Sequence, residues 1–176
     1  MPVIATSTLV KQRLRFIVEI PGVNGSPPLR ARFRTCSELS FEVAPSEIRH
    51  GGSVIPYSQP AGVTYTPVTL EMGATNDGRL FLWAMQCALA GGGIGGAGDA
   101  HKRIVDIVEQ DRTGLTINRW RCFNAWVTKF VAGDWDNESN DFLISSVTLK
   151  YDFFAPTLMQ GQPAIAEVAR IAARLG

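Results

Sequence analysis

The residues able to carry out acid–base, nucleophilic or metal chemistry are few and lie far apart in the chain. There are two histidines, His50 and His101, and three cysteines, Cys36, Cys87 and Cys122. Zinc sites built from these residue types usually contain close ligand pairs, and the sequence has none. Because the number of cysteines is odd and they lie far apart in the sequence, a disulfide framework is disfavoured and a reduced compartment is favoured. We therefore expect no catalytic residues, no metal and no cofactor.

Two stretches imitate known binding motifs. Residues 91–96 fit the spacing G-x-G-x-x-G, but a dinucleotide fingerprint follows a strand and opens a helix, whereas this run follows a predicted helix. A flexible glycine-rich loop over residues 91–98 is the favoured interpretation. Residues 134–141 carry four acidic side chains, yet Ser139 and Ser145 stand where a calcium loop needs glycine and glutamate. This segment is interpreted as a solvated turn.

Three arginines form a stripe on one side of a predicted strand. Arg30, Arg32 and Arg34 alternate with other residue types, and such a stripe could follow a phosphate backbone. Because no aromatic residues interleave on that side, we favour a solvated sheet face paired with acidic neighbours, or an inter-subunit salt-bridge surface. The net charge of +1 does not imply nucleic acid or an anionic membrane as an obligate partner.

Alternation of apolar and polar residues with period two dominates the chain and predicts mainly β structure. Hydrophobic residues make up 45% and charged residues 19%, which fits a folded globular domain. The predicted strands lie near residues 14–20, 30–35, 40–50, 68–72, 102–110, 115–131 and 143–153. One helix is predicted from Asp77 to about Ala90, capped by Thr75 or Asn76. These elements predict an antiparallel β-sandwich or barrel with one packed α-helix.

The sequence also divides into a predicted body and a predicted tail. A β domain is expected over residues 1–155 and a C-terminal extension over residues 156–176. The apolar spacing over residues 164–175 predicts a short C-terminal helix.

Between the third and fourth predicted strands, residues 51–62 are rich in glycine and proline and read as a hairpin arm. We expect Gly51 to have a positive φ angle, as glycine permits, so that Gly51→Val would impair folding or assembly. Tyr57 is a candidate anchor in this arm for a neighbouring subunit.

The order of several short elements resembles one protein family. They are Ile48-Arg49-His50-Gly51-Gly52; Pro60 and Gly62 followed by Tyr65, Val68, Leu70 and Gly73; Trp83; Trp120, Asn124-Ala125-Trp126 and Lys129-Phe130; and Ser139-Asn140-Asp141. In this order they resemble the tail-tube proteins of contractile-tailed phages and of phage-tail-like contractile injection systems. Val127 stands where that family usually has proline.

The resemblance implies a structural protein that forms hexameric rings, stacked into a hollow tube inside a contractile sheath. The partners it implies are further copies of the chain, the sheath, the baseplate and the terminator or cap proteins. The lumen would hold DNA or protein cargo, and the subunit would not insert into a membrane. Synthesis and assembly would be cytoplasmic, and the product would be a virion tail or a phage-tail-like particle.

The assembly residues expected on this basis form two groups. Gly51, Gly52, Tyr57, Pro60 and Gly62 belong to the hairpin arm, and the second group is the arginine stripe of Arg30, Arg32 and Arg34. Two alternatives stay open. The chain could be a tube cap or initiator of the same machine, or a monomeric β-barrel binding module.

Overall fold

The structure is a computed structural model that describes residues 15–21, 28–48, 51, 56–73, 78–93, 99–111, 113–133 and 144–159. These residues form ten strands and one helix. The strands are β1 (Arg15–Ile20), β2 (Leu29–Ala31), β3 (Thr35–Cys36), β4 (Phe41–Ile48), β5 (Tyr57–Tyr65), β6 (Val68–Gly73), β7 (Arg103–Gln110), β8 (Thr116–Val131), β9 (Ile144–Lys150) and β10 (Phe153–Met159). The helix is α1 (Arg79–Gly91).

The long strand β8 organises two antiparallel sheets. Its first part, residues 118–123, pairs with β10, and its last part, residues 126–131, pairs with β9. One sheet therefore runs β2-β1-β7-β8-β10, and the other runs β8-β9-β6-β3. Apolar side chains from both sheets form one buried cluster. The prediction of a mainly antiparallel β protein with one packed helix is confirmed.

Strand β8 bends where it passes from one sheet to the other. The register with β7 shifts between Arg103↔Ala125 and Val105↔Cys122, so β8 contains an extra residue there. Asn124 has a φ angle of 52°, a left-handed conformation that asparagine tolerates better than most residues. Its side-chain amide donates to the Asp152 carboxylate at 2.9 Å, which ties the bend to the turn between β9 and β10.

The predicted second strand, residues 30–35, is split between the two sheets. Strand β2 pairs with β1 at Ala31↔Val18, whereas β3 pairs with β6 at Cys36↔Leu70. The chain crosses between the sheets over residues 32–34, and Phe33 is buried in the core at this crossing. The expected hairpin of the first two strands is confirmed, but the single continuous strand is wrong. Alternation persists through such a crossing, so periodicity alone does not reveal it.

Helix α1 packs against the second half of β8. Leu80, Trp83 and Cys87 form its buried side, as the spacing predicted. The Trp83 indole donates to the His101 carbonyl at 2.7 Å, and the Val127 amide donates to the Cys87 sulfur at 3.4 Å. The prediction of a side-chain cap from Thr75 or Asn76 is wrong, because Gly78 occupies the N-cap position without a side-chain hydrogen bond.

Several expectations concern residues outside the described ranges. These are Gly52, the acidic turn of residues 134–141, most of the glycine-rich loop and the C-terminal helix. None of the described helical residues forms a segment with the length and hydropathy that a membrane span requires.

Candidate assembly surfaces

Strands β4 and β5 form a two-stranded ribbon, separate from the other sheets, which we call the arm. Its register runs from Phe41↔Tyr65 at the root to Ile48↔Tyr57 near the tip. All of its 17 residues except Ser46 and Tyr65 are exposed. An isolated two-stranded ribbon is marginally stable in water, so the arm needs support from its root or from a partner.

The arm has an apolar face and a polar face over its root half. Successive residues of a strand point to opposite faces, and the pairs Phe41↔Tyr65 and Val43↔Val63 share one face. The register shifts after Ala44, so that Pro45 faces Pro60, which extends the same face. We call these six residues the arm face. Val43 and Val63 have 42% and 53% of their surface exposed.

The arm's root is fixed to the body by aromatic contacts. The Phe154 ring lies 6.2 Å from Phe41 and 5.8 Å from Tyr65, centroid to centroid. The Lys150 ammonium donates to the Tyr65 carbonyl at 2.7 Å, and the Tyr151 hydroxyl donates to the Thr66 carbonyl at 2.8 Å. The arm therefore leaves the body in a defined direction, and its apolar face continues the aromatic part of the core.

Helix α1 carries a second exposed apolar surface. Phe81, Leu82, Met85 and Leu89 are 50%, 61%, 43% and 42% exposed, and we call these four residues the helix face. No residue from 80 to 91 is charged. A helix that is apolar all round is usually buried, so this surface is unusual for a protein that remains a monomer.

A ladder of opposite charges crosses the first sheet. The Arg121 guanidinium makes two hydrogen bonds to the Asp106 carboxylate, at 2.7 and 2.8 Å, and Arg119 donates to the same carboxylate at 3.1 Å. Arg119 also pairs with Glu19 at 3.2 Å, and Glu19 pairs with Arg30 at 3.1 Å. Of the predicted arginine stripe, only Arg30 belongs to this ladder. The other members of the ladder could have been found in the sequence as opposite charges on strands that pair in the fold.

The sequence comparison identifies the family to which the chain is related. The profile of the family described as "T4-like virus tail tube protein gp19" matches residues 12–155, which is most of the chain. The chain belongs to this family. The resemblance inferred from the short motifs is thus confirmed, and the chain is a structural protein of the tail tube type. Among curated proteins, no sequence matches this tail tube protein.

Solved structures with the same fold come from contractile injection systems. A chain of the anti-feeding prophage (AFP) baseplate, 6-fold symmetrised, superposes with a TM-score of 0.70 at 24% identity, covering 87% of this tail tube protein and 98% of that chain. A chain of the PVC sheath–tube complex in the extended state gives 0.68 at 22%, with 87% and 95% covered. A chain of the AFP tube-terminating cap gives 0.65 at 20%, with 90% and 99% covered.

The fold of the tail tube protein places the predicted assembly residues in two separate regions. Tyr57, Pro60 and Gly62 lie on β5 of the arm, and Gly51 lies in a turn beyond β4. Arg30 lies on β2, while Arg32 and Arg34 are exposed where the chain crosses between the sheets. The arm residues are therefore brought together, whereas the arginines do not form one continuous stripe. Sequence reasoning missed the helix face, although its lack of charge was visible.

One expectation about the arm is wrong. A Cβ atom built on Gly51 has nothing within 4 Å, and Gly51 does not have a left-handed φ. Left-handed glycines occur instead at Gly93, Gly114 and Gly133 among the described residues. The glycine pair suggested a tight turn, but the position of Gly51 accepts a side chain.

The described residues of the tail tube protein contain no group of three or more His, Cys, Asp or Glu placed to hold a metal ion. Burial raises the pKa of the Cys36 thiol to about 11 and that of the Cys122 thiol to about 12. A thiol is nucleophilic only as the thiolate, so burial disfavours the reactive form of both cysteines at neutral pH.

Proposed function

We propose that this chain is the structural subunit of the inner tube of a contractile phage tail or phage-tail-like injection system. Six copies would form a ring, and stacked rings would form a hollow conduit. Family membership supports the tube role, and the similar AFP baseplate chain belongs to a particle with 6-fold symmetry. The chain would have no catalytic activity, since its role is to present surfaces to its neighbours.

The exposed arm is the observation that carries this proposal. Large apolar side chains stand in water on a ribbon that projects from the body, including Tyr57 with 62% of its surface exposed. Exposed contiguous apolar surface of this kind marks an interaction site. Such a ribbon suits a subunit of a repeating assembly better than a monomeric binding module.

The sheet edges support a ring in addition. Strand β2 pairs only with β1, and β10 pairs only with β8, among the described strands. Unpaired edges favour pairing with another chain. Pairing of β2 of one copy with β10 of the next would be head-to-tail, and such pairing closes into a ring when the rotation permits.

The proposed partners follow from the same similarities. The similar chains come from a sheath–tube complex, a baseplate and a tube-terminating cap, so the sheath, baseplate and cap proteins are the proposed partners of this chain. DNA or protein cargo would occupy the lumen, and assembly would take place in the cytoplasm before the particle is used. The similarity to the cap chain keeps a cap or initiator role as the second candidate.

Sedimentation and negative-stain microscopy of the full chain, alone and with its sheath protein, test the proposal. Six copies of the 19.2 kDa chain give a ring of about 115 kDa. A tube subunit continues to stack into tubes of variable length, whereas a cap stops after a single ring. A monomer at every concentration, with no tube in the presence of sheath protein, would contradict the proposal.

A further inference from the structure

We propose that the arm face of one copy lies on the helix face of the next copy, so that the two apolar surfaces cover each other. The inference rests on the proposed function and names the contact within it. It assigns a partner to helix α1, whose outer side carries no predicted assembly residue.

The two surfaces match in chemistry. The helix face lies within residues 80–91, which carry no charge, and the exposed side chain of Gln86 beside it accepts a hydrogen bond from Arg103 at 2.7 Å. The exposed Arg79 lies at the first position of the helix, before these residues. The arm face over residues 41–45 and 60–65 also lacks charge, because Glu42 points to the opposite face. Burying either surface against a charged partner would leave an unpaired charge, which is costly, whereas burying them against each other would not.

The two surfaces also match in length. The apolar part of β4, from Phe41 to Pro45, spans about 13 Å at roughly 3.3 Å per residue. The helix face, from Phe81 to Leu89, spans about 12 Å at roughly 1.5 Å per residue. Beyond Pro45 the apolar character moves to the other side of the ribbon, where Ile48 pairs with Tyr57. The arm face therefore ends about where a helix of this length would end.

The contact has to form between copies. Both surfaces are exposed at the same time in one chain. The arm's root packs on Phe154 and Tyr151, whereas the helix packs on the part of β8 that contains Val127 and Phe130. Each copy would donate one arm and accept one arm, which is the head-to-tail arrangement that produces rings or stacks.

The C-terminal segment of the same chain is a weaker candidate for covering the helix. Strand β10 ends at Met159, opposite Asn118. That position lies nine residues along β8 from Val127, whose amide contacts Cys87 of the helix. A second copy, which presents an uncharged surface of matching length, is the better occupant.

Complementary charges test the contact. Val43→Lys places a cation on the arm face, and Leu82→Glu places an anion on the helix face. Each variant alone should lose its rings, with association at least tenfold weaker than in the wild type. A one-to-one mixture should recover rings in which the two variants alternate. In such a ring every arm that carries the new lysine meets a helix that carries the new glutamate, and every unaltered arm meets an unaltered helix.

Two matched controls and a cross-link accompany the test. Thr64→Lys puts the same cation on the polar face of the arm, and Leu115→Glu puts the same anion on a leucine that is 60% exposed away from the helix. Both should keep wild-type rings and wild-type unfolding midpoints. A chain carrying Val43→Cys together with Leu82→Cys should form disulfide-linked ladders of copies on mild oxidation.

The outcomes separate the two proposals. If the wild type forms neither rings nor tubes, the proposed function fails and this contact fails with it. If the wild type forms rings and Leu82→Glu forms them equally well, only the contact is overturned. Loss of sheath binding without loss of rings would assign the helix face to the sheath. If the mixture does not recover rings and no cross-linked ladder forms, the arm is excluded as the surface that covers the helix face. Each of these results overturns the inference.

Discussion

Asp106 is a carboxylate with only 4% of its surface exposed and three guanidinium hydrogen bonds. A buried carboxylate is stable only when it is paired, and here Arg119 and Arg121 supply the pairing. We expect Asp106→Ala to lower the free energy of unfolding by about 2–3 kcal/mol, since it removes the acceptor of Arg121 and one of the two carboxylates that Arg119 contacts. Urea denaturation measures the loss.

Asp99 provides the matched control for Asp106. Its side chain is 79% exposed and pairs with Lys102 at 3.2 Å, so Asp99→Ala should cost less than about 0.5 kcal/mol. If both variants lost the same free energy of unfolding, the burial of Asp106 would not strengthen its ion pairs relative to the exposed pair of Asp99.

Asn124 supplies a residue-scale test of the bend in β8. Its φ of 52° is tolerated by asparagine and glycine and disfavoured for β-branched residues. We expect Asn124→Val to destabilise the protein by about 2 kcal/mol and Asn124→Gly by clearly less. Thermal unfolding of the two variants distinguishes a backbone requirement from a requirement for the side-chain bond to Asp152. If glycine costs as much as valine, the side-chain bond is the important part.

At the scale of elements, the arm gives a prediction about Gly51. Because a Cβ there meets nothing within 4 Å, Gly51→Val should change the free energy of unfolding by no more than about 0.5 kcal/mol. Gly114 has a φ of 89°, so Gly114→Val should cost about 1–3 kcal/mol. Denaturant midpoints measured side by side decide the matter; a similar loss at both positions would contradict the open geometry at Gly51.

The sequence predicted the elements well and their division between sheets poorly. Period two located most of the strands, although β10 was not predicted and the strand expected over residues 143–153 ends at Lys150. The spacing of Leu80, Trp83 and Cys87 located the buried side of α1, because both signals are local. The crossing at Phe33 depends on which strand pairs with which, and that information lies in distant residues. The helix face could not be predicted for a separate reason. The exposure of its apolar residues is explained only by contacts with neighbouring copies, and a single sequence does not show those contacts.

At the scale of the whole molecule, three groups in the core or packed against it have a strongly raised pKa. Cys122 and Tyr151 are 1% exposed, and burial raises the pKa of Cys36 to about 11 and those of Cys122 and Tyr151 to about 12. Their ordinary pKa values are 9.0 for the thiols and 10.0 for the phenol. In the unfolded chain these groups therefore ionise at lower pH than in the folded one.

This difference makes the stability fall at alkaline pH. Below about pH 9 all three groups are neutral in both states and their contribution to stability is fully present. As the pH rises above the ordinary pKa of each group, 9.0 for the thiols and 10.0 for Tyr151, the unfolded state loses protons first and is favoured. Each group then lowers the stability by about 1.4 kcal/mol per pH unit, until its folded pKa is reached, about 11 for Cys36 and about 12 for Cys122 and Tyr151.

Cys122→Ala removes one of these groups while keeping a small apolar side chain. Between pH 9 and pH 11, we expect the free energy of unfolding of the variant to fall by about 2–3 kcal/mol less than that of the wild type. This difference does not depend on the stability of the variant at pH 7. Urea denaturation at each pH gives both curves, and the region from pH 6 to pH 8 serves as the internal control, since the two curves should run parallel there. Parallel curves up to pH 11 would mean that the Cys122 thiol can ionise within the fold, and that the two sheets are less tightly closed around it than its burial indicates.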